Sequence, residues 1–167
     1  VGKQAFMENR DSIMGEIEKR GDFDVAFVLT STSGGTGSSF SPLLINELKR
    51  QYPNITVVTV AILPFREEGS IYLQNAAFSM RELMELDADG IILADNQYMK
   101  RFSGDIASAY DKINSTIAKR LLFLIESLDS EMLSVTDLGD FKTVMNGGLR
   151  PLPATGEIGD LPLVPAT

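Results

Sequence analysis

Apolar residues in this chain fall into two alternating patterns, helical spacing and short unbroken runs. Phe6, Ile13, Met14 and Ile17 lie on one face of a helix from Gly2 to Arg20, which Gly21-Asp22 ends. Val25 to Thr30 is a short apolar run of the kind that makes a buried strand. Residues 31–38 are only Ser, Thr and Gly and read as a loop. Leu43, Leu44 and Leu48 then predict a helix, with Pro42 in its first turn, where a missing N–H costs little. Tyr52-Pro53-Asn54 turns the chain into the β-branched run Ile55 to Leu63, suited to burial on both faces of a parallel sheet. Residues 64–69 break the pattern, and Leu73, Ala76, Ala77, Met80, Leu83 and Met84 form a helical stripe. A short strand, Ile91 to Ala94, ends at Asp95-Asn96-Gln97. The longest helical pattern follows, carrying Ile106, Tyr110, Ile113, Ile117, Leu121 and Leu124. Residues 134–148 read as a loop with Asp137 and Asp140, then a short helix from about Phe141.

Strands alternating with helices predict an α/β fold: a parallel sheet with helices on both faces, three layers in all. This domain covers residues 1–146. Residues 147–167, which hold four of the chain's seven prolines and show no periodicity, are expected to be a Pro/Gly-rich terminal extension. Ligands of such sheets sit beyond the carboxyl ends of the strands. The glycine-rich loop, residues 65–69 and Asp95-Asn96 all fall there.

The glycine-rich loop is the strongest local signal. It feeds a helix N-terminus, where free amides and the helix dipole favour an anion, and its missing side chains let a phosphate approach the backbone. It is not a P-loop, because no Lys follows its glycines at the required spacing. It is a poor dinucleotide fingerprint too. Phe40 stands where the third glycine belongs, and Val58 to Ile62 offer no carboxylate for a ribose. A plain β–loop–α connection rich in small residues stays open.

Composition narrows the chemistry. The 167 residues are 44% hydrophobic and 23% charged, enough for one domain with a sizeable core. With no cysteine and no histidine, disulfides, thiolate chemistry, His-based triads and the usual zinc sites are excluded. No protein metal site is expected; a hard cation such as magnesium would arrive on a nucleotide. The net charge of −8 opposes a nucleic-acid-binding role, and no apolar run suits membrane insertion. No signal peptide is visible at Val1-Gly2-Lys3, and a cytoplasmic location is expected.

Read as a whole, the loop Ser33-Gly34-Gly35-Thr36-Gly37-Ser38-Ser39 resembles the phosphate-binding signature Gly-Gly-Gly-Thr-Gly-Ser/Thr-Gly of the tubulin/FtsZ superfamily, which includes the archaeal CetZ group. Ser39 in place of the last glycine is a departure. Val1-Gly2-Lys3-Gln4-Ala5 resembles the start of the family's third helix. Pro64-Phe65 with Glu68-Gly69 resembles its Pro-Phe-x-x-Glu-Gly element, although Tyr72 replaces an arginine that FtsZ keeps. Asn96 matches the guanine-reading asparagine, and Tyr110-Asp111 resembles the Tyr-Asp of the central helix, with Asn114 one turn on. Residues 137–145, Asp-Leu-Gly-Asp-Phe-Lys-Thr-Val-Met, are similar to the synergy loop.

The resemblance implies the C-terminal part of a GTPase domain, from the third helix through the synergy loop. Ser33, Gly34, Gly35, Thr36, Gly37 and Ser38 would hold phosphates of GTP or GDP, with Mg2+ carried by the nucleotide. Glu68 would contact ribose, and Asn96, Tyr110 and Asn114 would contact guanine. Asp137 and Asp140 would act on the GTP of the next subunit, so that head-to-tail self-association into protofilaments completes the active site. Taken singly, each residue has a plainer reading: Thr36 and Ser38 as helix caps, Tyr110 as core, Asn96 as a turn residue. Asp137 and Asp140 could be a turn and an N-cap, and Glu68 a helix-start charge. A relative that keeps the fold without hydrolysing nucleotide is the alternative function.

Overall fold

The structure, a computed structural model, describes residues 2–86, 88–99, 106–129, 138–145 and 149–151. Four parallel strands lie in the order β1-β2-β3-β4: Val25–Ser31, Thr56–Leu63, Gly90–Asp95 and Leu149–Pro151. Among the described residues six α-helices accompany them: α1 (Gly2–Glu18), α2 (Gly35–Gln51), α3 (Ser70–Met84), α4 (Asn96–Met99), α5 (Ile106–Asp129) and α6 (Leu138–Met145).

Alternation along β2 explains the three layers. Val57 and Ala61 face a core shared with Met14 of α1, Ile45 and Leu48 of α2 and Leu83 of α3. Val58 and Val60 face the opposite core, built from Ile113, Ile117 and Leu121 of α5 with Phe141 and Met145 of α6. A strand buried on both faces does not alternate polar and apolar residues, and β2 is mostly β-branched and apolar, with Thr56 and Thr59 its only polar residues, both buried. β1 is the contrast. Among the described residues it pairs only with β2, and Leu29 on it is 53% exposed.

Helices α1 and α2 pack in parallel. Gly2 lies against the first turns of α2, Phe6 meets Phe40 edge-on at 5.1 Å, and Arg10 Nη2 donates to Glu47 at 2.5 Å. The apolar stripe of α3 is only half used: Ala76, Ser79 and Leu83 are buried, while Leu73 and Met84 are exposed.

Four local expectations need correction. First, α2 begins at Gly35 rather than after the glycines, so the last glycines form its first turn and Pro42 lies inside the helix. Glycine and serine are poor helix formers, yet the helix extends through them because its start is held from outside, as described below. Second, neither Thr36 nor Ser38 caps α2. The N-cap is Gly34, which makes no side-chain cap, and the Ser38 hydroxyl instead donates back to the Gly34 carbonyl. Third, α6 starts at Leu138, which places Asp140 in its first turn rather than at its cap. Fourth, Leu149–Pro151 add a strand beside β3, taking three residues of the expected extension into the sheet.

Candidate functional site

Three segments leave the carboxyl ends of β1, β2 and β3, and they converge at one end of the sheet. The first is the glycine-rich segment. The ladder between β1 and β2 runs one residue past the strand, since Thr32 donates both N–H (3.0 Å) and Oγ1 (2.9 Å) to the Ile62 carbonyl. Thr32 and Ser33 are buried, and the chain then enters α2 through Gly34, whose backbone is extended (φ −84°, ψ 153°). The first intrahelical bond runs from Ser38 N to Gly34 O at 3.2 Å. The amides of Gly35, Thr36 and Gly37 precede it and have no helical acceptor. Gly35 and Thr36 are exposed, and space around Gly34 and Gly35 is open. The segment therefore offers a fan of main-chain donors at the positive end of a 17-residue helix.

The second segment follows β2. Phe65 is 1% exposed, and Arg66–Glu68 form a 3-10 turn in which Glu68 Oε1 accepts from Phe65 N at 2.9 Å. Gly69 then has φ +107°, a conformation that side chains oppose, so the glycine after Glu68 is a backbone requirement of the entry into α3. Tyr110 of α5 reaches this turn: its ring meets the Phe65 ring edge-on at 5.2 Å, and it stays 42% exposed. Partial burial, and secondly the Glu68 carboxylate nearby, push its phenol pKa up. Asn114, one turn further on α5, is exposed as well.

The third segment follows β3. Asp95 Oδ1 accepts from the amides of Gln97 (2.8 Å) and Tyr98 (3.3 Å), fixing the short helix α4. Gln97 Oε1 accepts from Arg66 N at 3.0 Å, tying this segment to the second. Asn96 is 6% exposed, and its Oδ1 has no hydrogen-bond partner among the described residues. A buried amide oxygen with no partner is costly, so it fits a site whose donor comes from a ligand.

Asp140 is elsewhere. On α6, Lys142 Nζ donates to the carbonyl of Asn54, which lies just before β2, and Met145 packs on Gly90 at the start of β3. Those contacts hold α6 at the amino ends of the strands, one strand length (roughly 25 Å for eight residues) from the glycine-rich segment. Asp140 itself is exposed. Asp137 lies outside the described residues. The structure thus gathers the segments carrying Ser33 to Ser38, Glu68, Asn96 and Tyr110 at one pole and sets Asp140 apart from them. Asn75 of α3, whose Nδ2 donates to the Ser33 carbonyl, and Gln97 shape the site but are not legible as site residues from the sequence, since each is a polar residue on a helix with a partner identified only by the fold.

Among the described residues no helix is long and apolar enough to cross a membrane, and no cluster of three acidic side chains could hold a metal ion. A parallel sheet with a glycine-rich phosphate-type loop at its carboxyl edge is the signature of a nucleotide-binding α/β protein. Residues 1–104 match the model of the Tubulin/FtsZ family, GTPase domain, and the chain belongs to that family. It is 75% identical over 149 residues to the tubulin-like protein CetZ of Methanothrix thermoacetophila, covering 89% of this chain and 41% of that protein. Among solved structures it is similar to GDP-bound monomeric CetZ1 of Haloferax volcanii (29% identity, TM-score 0.75), and to CetZ2 of the same organism as a GTPgS-bound protofilament (27% identity, TM-score 0.72). Each match covers 89% of this chain and 43% of the other. The chain thus spans about two fifths of the length of the relatives it matches.

Proposed function

We propose that this chain is the C-terminal part of the GTPase domain of a CetZ-like cytoskeletal protein that binds and hydrolyses GTP between head-to-tail subunits in the cytoplasm. The observation that carries the proposal is polar separation: the main-chain amides of the glycine-rich segment lie at one end of the sheet, and α6, with the exposed Asp140 in its first turn, lies at the other. A carboxylate beside phosphate in the same subunit would repel it, whereas one at the far pole meets the nucleotide of a neighbour. A patch that contacts a different patch on the next copy makes an open filament. The protofilament reported for CetZ2 of H. volcanii supports this arrangement.

In this reading the amides of Gly34, Gly35, Thr36 and Gly37 and the Ser33 and Ser38 region bind the phosphates. Tyr110 stacks on the base, Asn114 flanks it, and the unpartnered Asn96 oxygen accepts from it. Glu68 has one carboxylate oxygen on Phe65 N and the other available for a ribose hydroxyl. Asp140, with Asp137 beside it in sequence, polarises the attacking water from the adjoining subunit, and Mg2+ is carried by the nucleotide. The open edge of β1 is where the remainder of the sheet would continue. In a full-length protein, GTP-dependent pelleting and phosphate release are expected, and Asp140→Ala should keep nucleotide binding while losing most phosphate release. Normal pelleting without phosphate release in the unmutated protein would favour the non-hydrolysing alternative.

A further inference from the structure

Three consecutive carbonyls at the mouth of the glycine-rich segment are each taken by a side-chain donor. Ser38 Oγ donates to Gly34 O at 2.6 Å and Ser39 Oγ to Gly35 O at 2.5 Å, both within α2. The Ser33 carbonyl is held from another element: Asn75 Nδ2 of α3 donates to it at 3.1 Å, across 42 residues of sequence. In a trans peptide the C=O and the following N–H point in opposite directions. Drawing the Ser33 oxygen toward α3 therefore turns the Gly34 N–H away from α3. It also keeps a partial negative charge out of the space that an anion would fill. Gly34 is conformationally free and makes no side-chain cap, so nothing on its own residue selects that peptide orientation.

We propose that Asn75 is a positioning residue for phosphate binding, acting through the Ser33 carbonyl to aim the Gly34 amide. The proposal rests on the phosphate-binding reading above. Ser39 belongs to the same device: at the position where the family signature has glycine, its hydroxyl holds the Gly35 carbonyl. Asn75 touches no part of the nucleotide in this arrangement. Removing its donor leaves the Ser33–Gly34 peptide able to rotate and present its oxygen to the phosphates.

The test uses a full-length protein in which this chain replaces the matching segment of the Methanothrix relative. Asn75→Leu removes the donor at similar volume, and Asn75→Ala serves as a second variant should the first fail to fold. GTPγS affinity of the unpolymerised protein, the unfolding midpoint of the nucleotide-free protein, and KM and kcat for GTP are measured. Expected are about tenfold weaker GTPγS binding, a raised KM, kcat retained at saturating GTP, and an unchanged midpoint. Folded variants that bind GTPγS like the parent, or that lose affinity only as the midpoint falls, overturn the role of Asn75 and leave the phosphate reading standing. A parent chimera that folds but does not bind GTPγS overturns both.

Discussion

Gly34, Gly35 and Gly37 share one short segment, but physics asks different things of them. A methyl group on Gly37 would sit 2.5 Å from the Ser31 carbonyl oxygen and 2.9 Å from Thr30 Oγ1. Gly37 is therefore where the first turn of α2 crosses the end of β1. Gly37→Ala should cost about 1–3 kcal/mol, read as a fall in the unfolding midpoint. Nothing crowds Gly35 from within the fold. Gly35→Ala should leave stability unchanged or raised by up to about 1 kcal/mol, since alanine is the better helix former, yet weaken GTP binding because the methyl stands where a phosphate would approach. Equal effects at both positions would contradict the anion reading. The same scale holds the clearest pH response. Hydrogen bonds from Arg50 and then Arg10 hold the buried Glu47 carboxyl at about 2, below its ordinary range. A carboxyl whose pKa is depressed by folding stabilises above its unfolded pKa and loses that contribution as pH falls toward the folded value. The unfolding midpoint should drop between about pH 4.5 and pH 2, and Glu47→Gln should lower it at neutral pH while flattening that acid limb. The glycines were readable from sequence because absent side chains are themselves a pattern. Asn75 and Gln97 were not, because a polar side chain carries no mark of the carbonyl or amide it will meet 42 or 31 residues away.

At the level of elements, β1 to β3 and the long helices were legible, while the start of α2 and the short elements α4 and β4 were not. β2 was plain because a strand packed on both faces is mostly β-branched and apolar, its two threonines being β-branched as well. The start of α2 was hidden because its first turn is composed of residues with little helical tendency. The support comes from other elements, Gly2 of α1 packed on that turn and Asn75 of α3 donating to the Ser33 carbonyl, and propensity does not report it. β4 was hidden for another reason: three residues ending in proline carry no periodicity, and only the edge of β3 makes them a strand. The junction of β3 with α6 supplies a test of how α6 is held. A methyl on Gly90 would stand 2.5 Å from Met145 Cε and 3.1 Å from both Met145 Cβ and its carbonyl oxygen. The methyl end of Met145 can swing aside, but its backbone cannot move without α6. Gly90→Ala should therefore displace the helix that carries Asp140. The expected result is about 1–2 kcal/mol of lost stability and reduced GTP turnover, with nucleotide affinity retained. Loss of affinity in a folded variant would mean that α6 and the nucleotide pole are not separate.

Across the whole molecule, the parallel sheet acts as a spacer with a different chemistry at each end. That division was legible only through the order of motifs along the chain. Each signal alone had a plainer explanation, and which end of a strand a loop occupies depends on the direction of pairing. If the two poles meet between subunits, a defect at one pole should be complemented by an intact copy of the other. Asn96→Ala impairs the nucleotide pole and leaves Asp140 in place; Asp140→Ala does the reverse. Each full-length variant alone should release little phosphate. Mixed in equal amounts and copolymerised, about one interface in four pairs an intact nucleotide pole with an intact acidic pole, because a heterologous contact takes one pole from each subunit. Phosphate release near a quarter of the unmutated rate is therefore expected from two nearly inactive proteins. If both variants enter the same polymers and release stays at the level of the separate proteins, the acidic pole does not serve a neighbour's nucleotide, since a site contained within one subunit gains nothing from a partner.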